Sequence, residues 1–222
     1  MTGGAASERL IAELVEEGRL TTAGTGRREF DPRVLDALRR APREAFVPGP
    51  LAGSAYVNRP LPIGHGQTIS QPYIVALMTD MVAPQPGEKV LEIGTGSGWQ
   101  AAVLAALGAR VFSVEVIPEL SARAAAALAA QGFGQVRLRV GDGWQGWPEE
   151  APFDAILVTA AAPEMPQALV AQLKPGGRMA IPLGPEGGAQ VLALVRKAAD
   201  GTVTREDTLP VAFVPLVKPP PR

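Results

Sequence analysis

The 222-residue sequence contains no cysteine and a single histidine, His65. Disulfides, thiolate nucleophiles and cysteine-based zinc sites are excluded, and no ligand cluster supports a metal site of another kind. An excess of either charge is also missing: 21 Lys and Arg stand against 22 Asp and Glu, with a pI near 5.9. Without a basic surplus to displace counterions from phosphates, nucleic acid is a poor partner, and small molecules or ordinary proteins are better ones. No apolar run is long enough to span a bilayer, and the stretch from Met1 to Arg9 lacks the basic-then-apolar order of a signal peptide. A cytoplasmic protein without membrane contact is expected. No Gly-x-Ser-x-Gly elbow occurs, and His65 has no orienting acid close in sequence, which argues against a serine hydrolase.

What is present is a 46% hydrophobic share in a length that suits one domain. We divide it into N-terminal helices and a long loop over 1–83, and a cofactor-binding core with C-terminal strands over 84–222. The core is organised around Val90-Leu91-Glu92-Ile93-Gly94-Thr95-Gly96-Ser97-Gly98-Trp99. A buried-strand pattern runs into three glycines on alternate positions, and an apolar helix follows from Trp99 to Leu107. Glycine there lets a ligand approach the backbone N–H groups, and the helix start adds unpaired donors and partial positive charge. A dinucleotide fingerprint would place glycine where Trp99 stands. The acidic-x-Gly-x-Gly-x-Gly pattern instead resembles the first motif of Rossmann-like S-adenosylmethionine-dependent methyltransferases.

Around this stretch, the pattern predicts a first helix with Leu10, Ile11, Leu14 and Val15 on its apolar face, capped by Ser7 and ended by Gly18. Asp31-Pro32 starts a second helix that buries Val34, Leu35 and Leu38. From Ala41 to Pro62 recurring prolines predict a loop anchored by Phe46, Val47 and Tyr56. The following segment, Ile63 to Tyr73, ends in a helix for which Ser70 is the N-cap; Ile74, Leu77, Met78 and Met81 form its apolar face, and Pro84 ends it. Past the glycines, strands are expected at 111–115, 136–140 and 153–158, with an Ala-rich helix over about 118–131. Glu115 ends the second of the parallel strands, about 20 residues after Gly94, where an acid can accept hydrogen bonds from ribose hydroxyls. Leu173 to Arg178 reads as a turn into a strand from Met179 to Pro182, Asp200-Gly201 joins an antiparallel pair, and Val211 to Val217 closes the sheet. The fold class is therefore α/β: a Rossmann-like, doubly wound, mostly parallel sheet with an antiparallel C-terminal strand pair and an added N-terminal helical segment.

Several motifs together carry a more specific likeness. Pro42-Arg43-Glu44-x-Phe46-Val47, Gly66-Gln67-Thr68-Ile69-Ser70-Gln71-Pro72, Leu91 to Gly98, Gly141-Asp142-Gly143 with Trp144-Gln145-Gly146-Trp147, and Phe213-Val214-Pro215-Leu216 closely resemble the protein-L-isoaspartate O-methyltransferase family over about residues 42–217. The resemblance implies methyl transfer from S-adenosyl-L-methionine, leaving S-adenosyl-L-homocysteine, to the free α-carboxylate of L-isoaspartyl residues in damaged proteins and peptides. It implies catalytic roles for Ser70 and Thr68. It assigns cofactor binding to Glu92, Gly94, Thr95, Gly96, Ser97, Gly98, Glu115, Val116, Gly141, Asp142 and Gly143, and substrate contact to Ile69, Pro72, Val214 and Val217. A monomer is expected. Two departures stand out: His65 occupies a position more often polar in the family, and Pro219-Pro220-Pro221 replaces a charged end.

The stretch after the fourth core strand, Thr159-Ala160-Ala161-Ala162-Pro163, offers neither a carbonyl side chain nor a stacking ring for a planar amine, which argues against base methylation. Other readings are a same-fold O-methyltransferase for a specific precursor peptide, a non-catalytic cofactor-binding module, and a nucleotide-dependent oxidoreductase disfavoured by Trp99.

Overall fold

The computed structural model of the chain describes residues 3–218. In chain order it comprises α1 (Gly3–Leu20), α2 (Thr22–Thr25), α3 (Pro32–Arg40), β1 (Leu61–Gly64), β2 (Gln67–Ile69), α4 (Pro72–Val82), β3 (Lys89–Ile93), α5 (Trp99–Ala106), β4 (Arg110–Glu115), α6 (Pro118–Ala130), β5 (Arg137–Val140), β6 (Phe153–Val158), α7 (Gln167–Gln172), β7 (Leu173–Leu183), β8 (Gln190–Lys197) and β9 (Val203–Val211). Seven strands form one sheet in the order β5-β4-β3-β6-β7-β8-β9. Strands β3 to β7 are mutually parallel where they pair, and β8 and β9 are antiparallel additions. This is the α/β architecture expected, with its order reversing between β3 and β6, where open α/β sheets place their ligands.

Alternation along the strands divides the core in two. In β8, Leu192 and Leu194 face the layer built from α1, α3, α4 and α5, while Ala193 and Val195 face the other side with Phe112, Phe153 and Met179. Each fully buried Leu, Ile or Phe stabilises this arrangement by about 1.5–3 kcal/mol relative to exposure. Helix α4 is buried at every position rather than along one stripe, including Thr79 and Asp80, because it lies between the N-terminal helices and the sheet. Its buried carboxylate is compensated: Asp80 accepts from Arg27 Nη1 at 2.5 Å and from the Asp31 backbone N–H at 2.8 Å.

Several local expectations are corrected. Ser7 lies inside α1, which extends to Leu20 past Gly18. Gly18 is instead where Phe30 packs closely: a Cβ there would sit 3.2 Å from Phe30 Cε2. Asp31 does cap α3, accepting from the Arg33 N–H at 2.8 Å. Ser70 is not the cap of α4, which begins at Pro72 with Gln71 in the N-cap position. The proline-rich loop holds two 3-10 turns, Arg43–Phe46 and Gly49–Ser54, and the unpredicted β1–β2 hairpin. His65 and Gly66 form that hairpin's two-residue turn, at φ 54° and 70°, the paired positive values of a type I′ turn.

The predicted turn at 173–178 is a bulge within β7: Phe153 pairs with Leu173 and Ala155 with Arg178, so the intervening residues loop out. The sheet closes with β9 at Val211, not with 211–217. Beyond it the Gln190 side chain replaces the next ladder step, accepting from the Phe213 N–H at 2.7 Å and donating to its carbonyl at 3.2 Å. Pro215 has no N–H to extend a strand, and the chain turns across the carboxyl ends of β3 and β6. There Val214 O accepts from the Ala161 N–H and the Leu216 N–H donates to Ala161 O, both at 2.8 Å. Pro219 to Pro221 lie outside the described residues.

Candidate active site

Two cavities meet at the sheet's topological switch. The first is a narrow cleft of about 50 Å³ lined by Gln67, Thr68, Ile93, Gly94, Gly96, Val114 to Ile117, Gly143, Thr159, Ala160 and the crossing segment Val214 to Val217. The second is an open cavity of about 450 Å³ lined by Pro60, Thr68, Ser70, Gln71, Ile74, Thr159 and Pro210 to Val214. Thr68, Thr159 and Val214 belong to both and form the wall between them. A smaller passage holds Ser70 and Thr68 together with Ile69, Glu92, Gly94, Thr95, Gly96 and Ser97. The serine ahead of α4 and the glycine turn after β3, far apart in sequence, are therefore neighbours.

The glycine turn is built by its own backbone. Gly94 donates to Val114 O and Gly98 to Thr95 O, each at 2.8 Å. Gly94 sits at φ 94°, and a Cβ there would lie 2.5 Å from Thr159 Oγ1. Gly98 serves packing instead: it is buried, and a Cβ would press on Ala124 and Leu128 of α6 at 3.2 and 3.3 Å. Glu115 holds the turn from the end of β4. Its two oxygens accept from the Gly96 N–H at 2.8 Å and the Ile117 N–H at 3.0 Å, and a carboxylate with two such bonds retains lone pairs for a further donor.

Glu92 stands in β3 directly beside Ser113 of β4. It is fully buried, one oxygen accepts from Ser113 Oγ, which also bonds Thr95 Oγ1 at 2.6 Å, and the other oxygen has no partner among the described residues. Burial pushes its carboxyl up to about 8, eased by the Ser113 hydroxyl and reinforced by the negative Glu115. A carboxyl this dry, with no cation beside it among the described residues, holds its proton to higher pH than an exposed one.

Ser70 and Thr68 present hydroxyls that hydrogen-bond to no group among the described residues. Ser70 is half-buried and Thr68 exposed. Behind Ser70, the Arg43 guanidinium donates to the Ser70 carbonyl at 3.0 Å. Behind Gln71, which lines the open cavity, stands a half-buried acid: Glu17, pushed up by burial, accepts from Asn58 at 2.5 Å and from Gln71 Nε2 at 3.4 Å.

Of the residues named from sequence, Thr68, Ile69, Ser70, Glu92, Gly94, Thr95, Gly96, Ser97, Glu115, Val116, Gly143, Val214 and Val217 line these spaces. Gly98, Gly141, Asp142 and Pro72 line none of the three. Asp142 Oδ1 instead accepts from the Trp144 N–H at 2.9 Å, shaping the turn, and Pro72 is buried in the first turn of α4. Gly143 explains why that turn needs glycine, since a Cβ would lie 2.6 Å from Ile93 Cγ2. Thr159 is the residue that sequence reasoning missed. It lines all three spaces and donates to Gly94 O at 2.7 Å; its position just after β6, next to β3, was the available signal. Among the described residues, no cluster of three His, Cys, Asp or Glu is placed to hold a metal ion, and no helix is long and apolar enough to cross a membrane.

Comparison with known proteins identifies the family and the fold. The family model of protein-L-isoaspartate(D-aspartate) O-methyltransferase matches residues 11–220, taking in the N-terminal helices as well as the motifs from Pro42 onward. A protein-L-isoaspartate O-methyltransferase of Polaromonas sp. is 53% identical over 207 residues, covering 93% of this chain and 98% of that protein. A solved protein-L-isoaspartate O-methyltransferase superposes with a TM-score of 0.81 at 30% identity, over 94% of this chain and 65% of that one. A Plasmodium falciparum structure of the same description, in complex with S-adenosyl-L-homocysteine, shares the fold with a TM-score of 0.79 at 24% identity, covering 95% of this chain and 97% of that one. This chain belongs to the protein-L-isoaspartate(D-aspartate) O-methyltransferase family.

Proposed function

We propose that the narrow cleft holds S-adenosyl-L-methionine, that the open cavity holds an L-isoaspartyl residue of a damaged protein or peptide, and that a methyl group passes between them beside Ser70. The single observation that carries this reading is the shared wall: Thr68 and Thr159 line both cavities, and the free Ser70 hydroxyl lies at their junction. The enzyme is an S-adenosyl-L-methionine-dependent methyltransferase of the isoaspartate family. Gly94, Gly96 and Gly143 line the cleft without side chains, so a donor can approach the backbone there. Glu115 stands where ribose hydroxyls can reach its spare lone pairs. Glu92 and Thr95 border the passage near Ser70, and the unpartnered Glu92 oxygen can take up the donor's ammonium end.

When bound, the donor supplies a methyl group already activated on a sulfonium. The acceptor carboxylate is ionised at neutral pH, so no base is required of the protein. Ser70 and Thr68 donate hydrogen bonds to that carboxylate and turn one oxygen toward the cleft, which is an orientation effect rather than acid–base catalysis. Val214, Thr159 and the buried α4 limit water at the junction. The methyl ester formed on the α-carboxylate can close to a succinimide, whose hydrolysis returns some normal aspartate. Ile69 and Pro72 support the acceptor side by packing, and Val214 and Val217 flank it from the crossing segment. The balanced charge supports partners that are proteins and peptides rather than nucleic acid, and the state we propose is a cytoplasmic monomer.

The test is transfer of tritiated methyl from S-adenosyl-L-methionine to matched peptides that differ only in containing isoaspartate or aspartate. Base-labile label on the isoaspartyl peptide alone is expected. Equal labelling of both, or of neither, would overturn the assignment of the acceptor.

A further inference from the structure

The most unusual side chain outside the reacting groups is Arg43. It is among the largest fully buried residues, at 1% exposure, and no carboxylate pairs with it among the described residues. Its Nη1 donates to the carbonyls of Ala55 at 2.6 Å and Val57 at 3.3 Å, and its Nη2 to those of Arg59 and Ser70, both at 3.0 Å. The guanidinium carbon lies 5.1 Å from the ring centroid of Trp99, the first residue of α5, whose indole N–H donates to Ala41 O at 2.9 Å. Burial lowers the guanidinium only to about 10, so it keeps its charge at neutral pH.

An unpaired buried cation costs several kcal/mol before compensation. Here four main-chain carbonyls and an aromatic face compensate its two Nη groups, leaving only Nε without a partner among the described residues, and all four carbonyls belong to the segment that carries the acceptor side of the site. Trp99, in contrast, is fixed to the glycine turn that forms the donor side. Arg43 is thus where the two halves of the site are tied together. A lysine could not do this, because its ammonium has no fork and cannot reach four carbonyls spread from residue 55 to residue 70.

Resting on the methyl-transfer reading above, we propose that Arg43 is a positioning residue: by gripping the Ser70 carbonyl against the Trp99 face it sets the distance and angle between the Ser70 hydroxyl and the donor cleft. Misplacing an orienting group by about 1 Å costs on the order of 100-fold in rate. A residue that merely filled space would lower stability without changing turnover per folded molecule.

The experiment compares wild type with Arg43→Lys and Trp99→Phe below their melting transitions. It measures kcat and KM for an isoaspartyl peptide, S-adenosyl-L-homocysteine affinity by calorimetry, and amide hydrogen exchange. For Arg43→Lys we expect kcat to fall about 30- to 100-fold, with S-adenosyl-L-homocysteine affinity held within about 3-fold. Exchange should be about 10-fold faster over residues 55–70 and unchanged in β3 and β6. Trp99→Phe, which keeps a ring but weakens the cation's seat, should show the same split at about a third to a tenth of wild-type kcat. Retained kcat, or affinity falling in parallel with kcat, would overturn the proposal. If Arg43→Lys does not fold, the Trp99→Phe split decides. If wild type itself labels no isoaspartyl peptide, the assigned function fails, and unchanged exchange over residues 55–70 would then remove the tie as well.

Discussion

Replacing Glu92 with glutamine is expected to make the ligand-free protein less sensitive to alkaline pH. The wild-type carboxyl is pushed up to about 8 by complete burial, whereas in the unfolded chain it titrates near the ordinary value of about 4.5. Between these two values the native state holds one more proton than the unfolded state. Stability therefore falls as pH rises, by about 1.4 kcal/mol per pH unit, and levels off once the native carboxyl has ionised. Between about pH 6 and pH 8 the contribution lost is about 2–3 kcal/mol, or on the order of 5–10 °C in Tm for a chain of this length. Glutamine keeps the shape and the acceptor for Ser113 Oγ–H but cannot ionise. Urea denaturation at pH values across this window should give a wild-type stability that declines relative to Glu92→Gln by that amount. Parallel profiles for the two proteins would refute the reasoning, since they would mean that Glu92 is either hydrated or paired.

Three further outcomes follow from the geometry. Ser70→Ala should reduce kcat about 10- to 100-fold, the worth of one hydrogen bond to a charged group, and leave S-adenosyl-L-homocysteine affinity unchanged by calorimetry; an equal loss of affinity would place the hydroxyl on the donor. Gly94→Ala puts a Cβ 2.5 Å from Thr159 Oγ1 at a positive φ. It should cost about 1–3 kcal/mol in urea denaturation and weaken donor binding at least about 10-fold. Asp80→Asn leaves Arg27 without its buried carboxylate and should destabilise the protein by about 3 kcal/mol with little change in KM for peptide, since neither Asp80 on α4 nor Arg27 ahead of α3 lines either cavity.

The element pattern was legible wherever one local signal sufficed. Asp31-Pro32 marked a helix start through a cap and a fixed φ, and the mostly apolar stretches at 90–93 and 153–158, each with a single acid, marked buried strands. Errors fell where a distant partner decided the outcome. Gly18 looked like a helix stop and is instead the surface on which Phe30 packs. Ser70 looked like a cap, yet α4 starts two residues later and the Ser70 carbonyl is held by Arg43 from across the loop. The last strand was expected over 211–217, and Gln190 ends it at Val211 by substituting a side chain for the ladder.

By itself the sequence determined the fold class, the glycine-lined turn after β3 and the family, because each rests on local chemistry: periodic burial, positive-φ glycines and contiguous motifs. Tertiary structure alone decided that Thr159 joins the narrow cleft to the open cavity, that Glu92 is a dry acid with one oxygen unpartnered among the described residues, and that Arg43 ties the serine loop to Trp99. These depend on which residues remote in sequence come within about 3–5 Å, and hydrogen bonds, desolvation and cation–aromatic contacts act only at that range.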